Sequence, residues 1–416
     1  MLDDGLQELR NMLASIKPPR GAVEKRFLDE SSWKLIDSKV HDSVLYPENL
    51  DESQRAAMEA LKKWLTAPTL EKRVFTVGGL AGSGKTTMVK TFISVVEALQ
   101  IEYGVVAFMA KVVDNLRVKG VPKAQTLHSL QYLVKEAEGE KELLFEKRQY
   151  LTEKLIVVDE GSTISENLHK DLLSFPDLRI VYFGDHGQLP PIEGNLNVME
   201  NPDVVLTGNH RQGEGSPIIE FAKHLRNGGG FRYGQTEHVS IFPRANMKAL
   251  LPQREVDIVL VGENVLRHEL NQLLRRRKGF GGIGPCVGEN IILLDSLDSR
   301  NLFHGRILRV TRVVSVGNYF VLDLIDPTTQ EKWDEVPVFQ EFFGKDKPEN
   351  FPHWLRDARN KGILMADFAQ AITGYKAIGS EFDKVAVVEP FTRRSTYRRY
   401  AYTMATRARK YLDWYA

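Results

Sequence analysis

Residues 79–86 read GLAGSGKT, a spacing of glycines, lysine and threonine that suits the cradling of a phosphate chain. Gly79, Gly82 and Gly84, with Ser83 between them, allow backbone N–H groups to curl around an anion. Lys85 is spaced to reach the outer phosphates, Thr86 to bind Mg²⁺ through its hydroxyl, and Thr87 to follow in the same turn. LIVVDE (155–160) ends in two carboxylates. Asp159 is the natural holder of the metal, and Glu160 is placed to orient and deprotonate an attacking water. RIVYFGDHGQLPPI (179–192) offers Gln188 as a sensor of the terminal phosphate. Arg211, in LTGNHRQ, either reaches that phosphate bidentately or pairs with a surface acid. Together these residues point to a nucleoside triphosphate and its hydrolysis.

Such groups need rigid elements behind them. RVFTV (73–77) reads as a buried strand before the glycine loop, and Met88, Val89, Phe92, Val95 and Leu99 have helical spacing after it. LDESQRAAMEALKKWL (50–65) is an earlier helix, with Asp51 as cap and Gln54 three residues on. Gln54 either completes that capping box or presents its amide to an adenine edge. GVVAFMA (104–110) is a second strand. Ligands collect beyond the carboxyl ends of parallel strands, so Lys111, Asn115, Thr126 and His128 are candidates for touching a second, nucleic-acid ligand. His128 could equally be a satisfied structural histidine. Residues 131–153 look like an insertion, either a helix pair or a hairpin. Phe145 there either fills a small core or wedges between bases.

The tetrapeptide 227–230, NGGG, reads as a linker, and a domain boundary is expected at 230. DIVLVGEN (257–264) then starts a new strand, followed by a helix ending in Arg275, Arg276, Arg277 and Lys278. Those four complement the helix end or bind phosphates. Residues 285–350 alternate apolar with polar and read as a small antiparallel barrel. The chain returns to α/β character over 362–391, and the closing segment interleaves basic residues with tyrosines. Arg407 and Arg409 sit where a helix could carry an arginine across a cleft.

A length of 416 residues implies two or more domains, and an apolar fraction of 42% is that of a globular chain. A net charge of +1 provides no global attraction to nucleic acid, so any such attraction is local. One cysteine, Cys286, excludes an internal disulfide framework and a cysteine zinc cluster, and suits a reducing cytosol. MLDDGLQEL lacks the apolar run of a signal peptide, and no stretch has the length of a membrane span. Leu2, Leu6, Leu9, Leu13 and Ile16 share one helical face, either docked on the body or binding a partner.

In order along the chain, GGLAGSGKTT, VVDEGS, FGDHGQLPP, LTGNHRQ, TGYKAIGSEFD and YTMATRA resemble motifs I to VI of a superfamily 1 helicase, of the Dda and RecD (superfamily 1B) branch, of phage or bacterial type. The similarity covers most of 46–416. DESQ resembles the adenine-reading motif, which favours the base for Gln54, and AQTLHSL resembles the branch's strand-binding motif.

The resemblance implies an α/β fold with two RecA-like parallel-sheet domains: an arm over 1–45, a first domain over 46–230 with a strand-separating pin within 131–153, and a second over 231–416 with an SH3-like barrel at about 285–350. It implies ATP and Mg²⁺ between the domains. Gln188 and Arg211 sense the γ-phosphate, Gly379 and Glu381 add nucleotide contacts, and Arg407 acts as an arginine finger. Asn264, Thr373, Tyr375 and Lys376 join the nucleic-acid contacts, and Phe145 becomes the pin residue. The implied activity is ATP-dependent movement on single-stranded DNA, 5′ to 3′, with separation of duplex DNA. Implied partners are single strands, duplex junctions and replication, repair or recombination proteins. The chain would be a monomer away from membranes, in the cytoplasm of a bacterium or phage host. Tyr375 and Ile378 depart from the histidine and glutamine usual in motif V. An RNA helicase, or a nucleic-acid-stimulated ATPase that remodels without unwinding, is the alternative. A small-molecule kinase would leave motifs III to VI without a purpose.

Overall fold

The computed structural model describes residues 50–65, 67, 72–136, 143–191, 196–208, 216–297, 300–345, 361–390 and 396–416. The expected arm over 1–45 and Arg211 lie outside the described residues. The chain groups into two compact units that part at 214/215, with 109–111 grouped with the second.

Unit one is built on a six-stranded sheet. Its strands are β1 (Val74–Gly79), β2 (Tyr103–Ala107), β3 (Gln125–Thr126), β6 (Leu155–Asp159), β7 (Arg179–Gly184) and β8 (Val204–Leu206), in the order β3-β2-β6-β7-β1-β8. All pairings are parallel. β6 and β7 are buried along their whole length, which is why both read as unbroken apolar runs: a parallel sheet is covered on both faces. Helices α1 (Glu52–Leu65), α2 (Lys85–Ala98), α3 (Ala110–Val118), α4 (Leu127–Gln131) and α5 (Glu166–Leu173) connect or cover the strands. Of the two forms open for the insertion, the hairpin is the one that forms. β4 (Tyr132–Glu136) and β5 (Leu143–Lys147) pair antiparallel, from Tyr132 opposite Lys147 to Glu136 opposite Leu143.

Unit two opens with α6 (Pro217–Arg226), ahead of the boundary expected at 230. The glycines there end a helix. Gly228 N–H donates to Leu225 O and Gly229 N–H to His224 O, each within about one turn. α6 itself packs on the second sheet: the Phe221 ring meets Trp414 edge-on, with centroids 5.6 Å apart. That sheet runs β17 (Ala371–Thr373), β11 (Ile258–Val261), β18 (Phe382–Val388), β19 (Ala408–Tyr415), β10 (Val239–Phe242), β9 (Gly234–Gln235). It is parallel except for β9. Helices α7 (Asn264–Arg277), α8 (Gly374–Ala377) and α9 (Tyr397–Ala405) belong to this unit.

The insertion is a five-stranded antiparallel sheet, in the order β15 (Lys332–Phe339), β14 (Tyr319–Ile325), β13 (Ile307–Val316), β12 (Asn290–Leu293), β16 (Ala366–Phe368). It closes with β16, so it reaches 368 rather than 350. Ile291 lies opposite Phe368, and both enter a core with Leu308, Val310, Leu322 and Trp333. Arg275 is part of this joint rather than of a phosphate patch. Its guanidinium lies 3.6 Å from the centre of the Phe368 ring and donates to Glu289 at 2.6 and 3.2 Å. Among the described residues, no helix is long and apolar enough to cross a membrane.

Candidate nucleotide and nucleic-acid sites

β1 runs directly into the glycine loop and α2. At Gly79 a Cβ would lie 2.2 Å from Ser83 Oγ and 3.2 Å from Leu206 Cβ, so a side chain there would force its neighbours to shift. Gly84 has φ 79°, in the left-handed region, immediately before the helix begins. The first-turn N–H groups of α2 lack intrahelical acceptors and face the loop, as an anion site requires. Lys85 Nζ donates to Gly79 O at 2.8 Å and to Leu80 O at 3.1 Å, which suspends the ammonium over the loop. Gly82, Thr86 and Lys85 are half-buried, and Thr87 is exposed.

Gln54 does what the capping reading asked. Asp51 N–H donates to Gln54 Oε1 at 3.0 Å, and Gln54 N–H donates to Asp51 Oδ1 at 2.8 Å. Its amide nitrogen also reaches the loop, donating to Ser83 O at 3.4 Å. The side chain is buried and bridges α1 to the glycine loop.

The acidic pair stands at the end of β6. Burial first, and then the neighbouring Glu160 carboxylate, push the Asp159 carboxyl up to about 6, against the Glu160 N–H and the Lys85 and Lys119 charges. Glu160 takes left-handed backbone angles, φ 51° and ψ 46°. For a residue with a Cβ this is strained by roughly 1 kcal/mol or more. Thr163 stabilises the bend, donating from both its N–H and its Oγ1 to Glu160 O. At the end of β7, Asp185 is fully buried and accepts from Gly187 N–H at 2.8 Å and Gln188 Nε2 at 3.5 Å.

Four polar atoms around these strand ends, Ser83 Oγ, Glu160 Oε2, Ser162 Oγ and Gln188 Oε1, are buried without a hydrogen-bond partner. Buried polar atoms are nearly always matched, so this cluster suits a guest that brings donors, acceptors and a cation. A triphosphate with Mg²⁺ fits: Thr86 and Asp159 could hold the metal, and the raised Asp159 carboxyl is one that a cation would return to its ionised form. Ser162 and Asp185 had no separate place in the motif reading. Their signal was position alone, three and one residues past buried strands.

Of the other candidates, those of unit one leave the same carboxyl edge, and Lys111 stands in the short stretch grouped with unit two. Lys111 and Asn115 lie on α3, half-buried and exposed. Thr126 caps α4, accepting from Ser129 N–H at 3.2 Å. His128 is exposed and contacts two rings: Phe108, tilted with centroids 5.7 Å away, and Tyr132, stacked at 5.9 Å and 28°. Phe108, 38% exposed, escaped the sequence reading because it follows a buried strand and looks like its continuation. Phe145 is in β5 opposite Val134, and its side chain lies outside the described residues.

In unit two, Val261 and Thr373 are register partners. Asn264, which starts α7, and Thr373, Tyr375 and Lys376 therefore leave one edge of the sheet together. Asn264 Oδ1 accepts from Arg267 Nε at 3.1 Å. Gly379 and Glu381 lie at the opposite edge, just before β18. There Arg407 is buried. It donates to Thr403 O at 3.0 Å, Ser380 O at 3.3 Å and Thr406 Oγ1 at 3.1 Å. Arg409 instead pairs with Asp383 at 2.7 Å.

Fold and site are those of a phosphate-loop α/β protein, and the order of its motifs resembles that of superfamily 1 helicases. Residues 49–241 match the AAA domain family, and 368–412 match the UvrD-like helicase C-terminal domain. Its relatives include helicases named RecD2 and Dda. It is 31% identical to the ATP-dependent RecD2 DNA helicase of Deinococcus radiodurans over 162 residues, 38% of this chain and 22% of that protein. It is 28% identical to the ATP-dependent DNA helicase Dda of Enterobacteria phage T4 over 200 residues, 44% of this chain and 43% of that one. The matches thus span less than half the length of either relative. Among solved structures, Pif1 helicase from Bacteroides, in complex with ADP-AlF3 and single-stranded DNA, superposes with TM-score 0.54 at 16% identity, over 88% of this chain and 92% of that one. Pif1 helicase from Candida albicans gives 0.52 at 15%, over 88% and 94%. These two establish a Pif1-like helicase fold.

Proposed function

We propose that this chain is an ATP-dependent DNA helicase that moves 5′ to 3′ along single-stranded DNA and separates duplex. One observation carries the reading. A single sheet edge holds both the glycine loop with its acidic pair and the rings of Phe108, His128 and Tyr132. The first suits a triphosphate, and the second suits unpaired bases, which stack on aromatic faces without regard to sequence. The names of RecD2 and Dda, and the single-stranded DNA bound to Bacteroides Pif1, support DNA as the second ligand.

In this reading Lys85 and the loop N–H groups bind the phosphates, and Thr86 and Asp159 hold Mg²⁺. When bound, the metal would neutralise charge on the phosphates. Glu160 accepts a proton from the attacking water, Gln188 and Arg211 respond to the terminal phosphate, and Arg407 has the part of an arginine finger. Gln54 positions the loop and faces the base. Gly379 and Glu381 complete the nucleotide contacts, while Lys111, Asn115, Thr126, His128, Asn264, Thr373, Tyr375 and Lys376 hold the strand.

The test is ATPase activity with and without single-stranded DNA or RNA. Strong stimulation by DNA is expected, and activity indifferent to added polynucleotide would overturn the reading. One observation favours a second reading, a DNA-stimulated remodeller that does not unwind. At the motif V positions usually held by histidine and glutamine stand Tyr375 and Ile378, and Ile378 is buried. An unwinding assay run beside the ATPase assay separates the two.

A further inference from the structure

One carboxylate fastens both strands of the β4–β5 hairpin. Tyr132 and Lys147 are register partners, the first pair of the hairpin. The Tyr132 hydroxyl donates to Asp171 Oδ2, and Lys147 Nζ donates to Asp171 Oδ1 at 3.2 Å. Lys147 also lies 5.6 Å from the centre of the Phe175 ring. One step further down, Gln131 Nε2 donates to Leu168 O at 3.0 Å, and Arg148 N–H donates to Gln131 O at 2.8 Å. Leu168 and Asp171 both belong to α5, the helix that follows the acidic pair.

The arrangement has a mechanical meaning. A two-stranded hairpin is at best marginally stable by itself, so one that meets a duplex end must be fixed at its root. A carboxylate that takes one donor from each strand resists pivoting in either direction, and charge-assisted bonds are stronger than neutral ones. The Asp171 carboxyl is held below the usual range by the Tyr132 hydroxyl and, after the opposing effect of burial, by Lys147. Tyr132 divides its work: its ring stacks on His128 and its hydroxyl holds Asp171.

We propose that Asp171 is a positioning residue for strand separation, clamping the hairpin root to α5 so that duplex opening depends on it while ATP hydrolysis does not. This rests on the helicase reading above. The full chain, Asp171→Asn, Lys147→Met and the double variant are compared for unwinding of a forked duplex and for ATPase on single-stranded DNA. Each single variant should lose about tenfold in unwinding, the order expected for one charge-assisted hydrogen bond, with ATPase unchanged. The double variant should be no worse than the worse single one, since both changes cut the same bond. Hydrogen exchange should quicken at 132–136 and 143–147 in Asp171→Asn and stay unchanged in β6 and β7.

Unwinding at the parent rate, or ATPase falling in step with unwinding, would overturn the proposal. So would additive losses in the double variant. Lys147→Met keeps the test open should Asp171→Asn fail to fold. A parent chain that hydrolyses ATP on DNA but opens no duplex would instead overturn the helicase reading. The exchange measurement would then decide the clamp by itself, and unchanged hairpin exchange would remove it.

Discussion

Arg407 donates to the carbonyl oxygen of Ser380 at 3.3 Å, which holds the arginine after α9 against the far end of the segment that begins at Thr373. That segment starts at one edge of the second sheet and ends at the other. Residues proposed to touch DNA and the arginine proposed to touch ATP are therefore joined by one short stretch of chain.

If Arg407 serves as a finger, Arg407→Ala should still bind ATP while losing DNA-stimulated turnover by ~10³-fold, the scale of such contacts. Arg407→Lys should not rescue it, because an ammonium cannot reproduce the planar fork. Nucleotide binding followed by fluorescence, beside steady-state ATPase, checks both. Unchanged turnover would remove the role.

Gln54 uses both ends of its amide, and two substitutions separate them. Gln54→Glu keeps an acceptor for Asp51 N–H but loses the donor to Ser83 O. It should keep the stability of α1 and weaken nucleotide binding. Gln54→Ala should also lose about 1 kcal/mol of stability, as for a lost cap. Melting temperature and nucleotide affinity measured together decide the matter, and equal affinity in all three proteins would leave Gln54 a cap only.

Phe145→Ala should leave ATPase and movement along single strands intact and abolish duplex opening. Intact unwinding would return Phe145 to a packing role in the hairpin.

Much of the candidate nucleotide site was legible because its residues are contiguous: GLAGSGKT, Asp159-Glu160 and Asp185 to Gln188 stand at the carboxyl ends of buried strands, and local spacing carries the chemistry. What was not legible depends on distant partners. The glycines at 228–230 looked like a linker, whereas Phe221 against Trp414 and Arg226 over Tyr402 make α6 part of unit two. The strand Ala366–Phe368 looked like a return to the α/β sheet, yet its partner is β12 of the insertion. α7 looked merely basic and polar, but Arg267, Asn271 and Arg275 form a buried stripe at four-residue spacing. Arg267 pairs with Asp367, and Arg275 with Glu289.

That stripe is itself testable. Asn271 accepts from Ala371 N–H at 2.8 Å and donates to Ala371 O at 2.9 Å and Phe368 O at 3.3 Å. Asn271→Ala orphans a buried N–H, at a cost of about 1–3 kcal/mol. Denaturant unfolding should report that loss, and an unchanged midpoint would show that the junction relaxes around the gap.

The most direct test of the account is strand separation on duplexes carrying a 5′ or a 3′ single-stranded tail, with Lys85→Ala as the control. ATP-dependent unwinding is expected from the 5′ tail, little from the 3′ tail, and none by Lys85→Ala on either. Equal unwinding by Lys85→Ala, or no unwinding of either substrate by a parent chain whose ATPase ignores DNA, would contradict it.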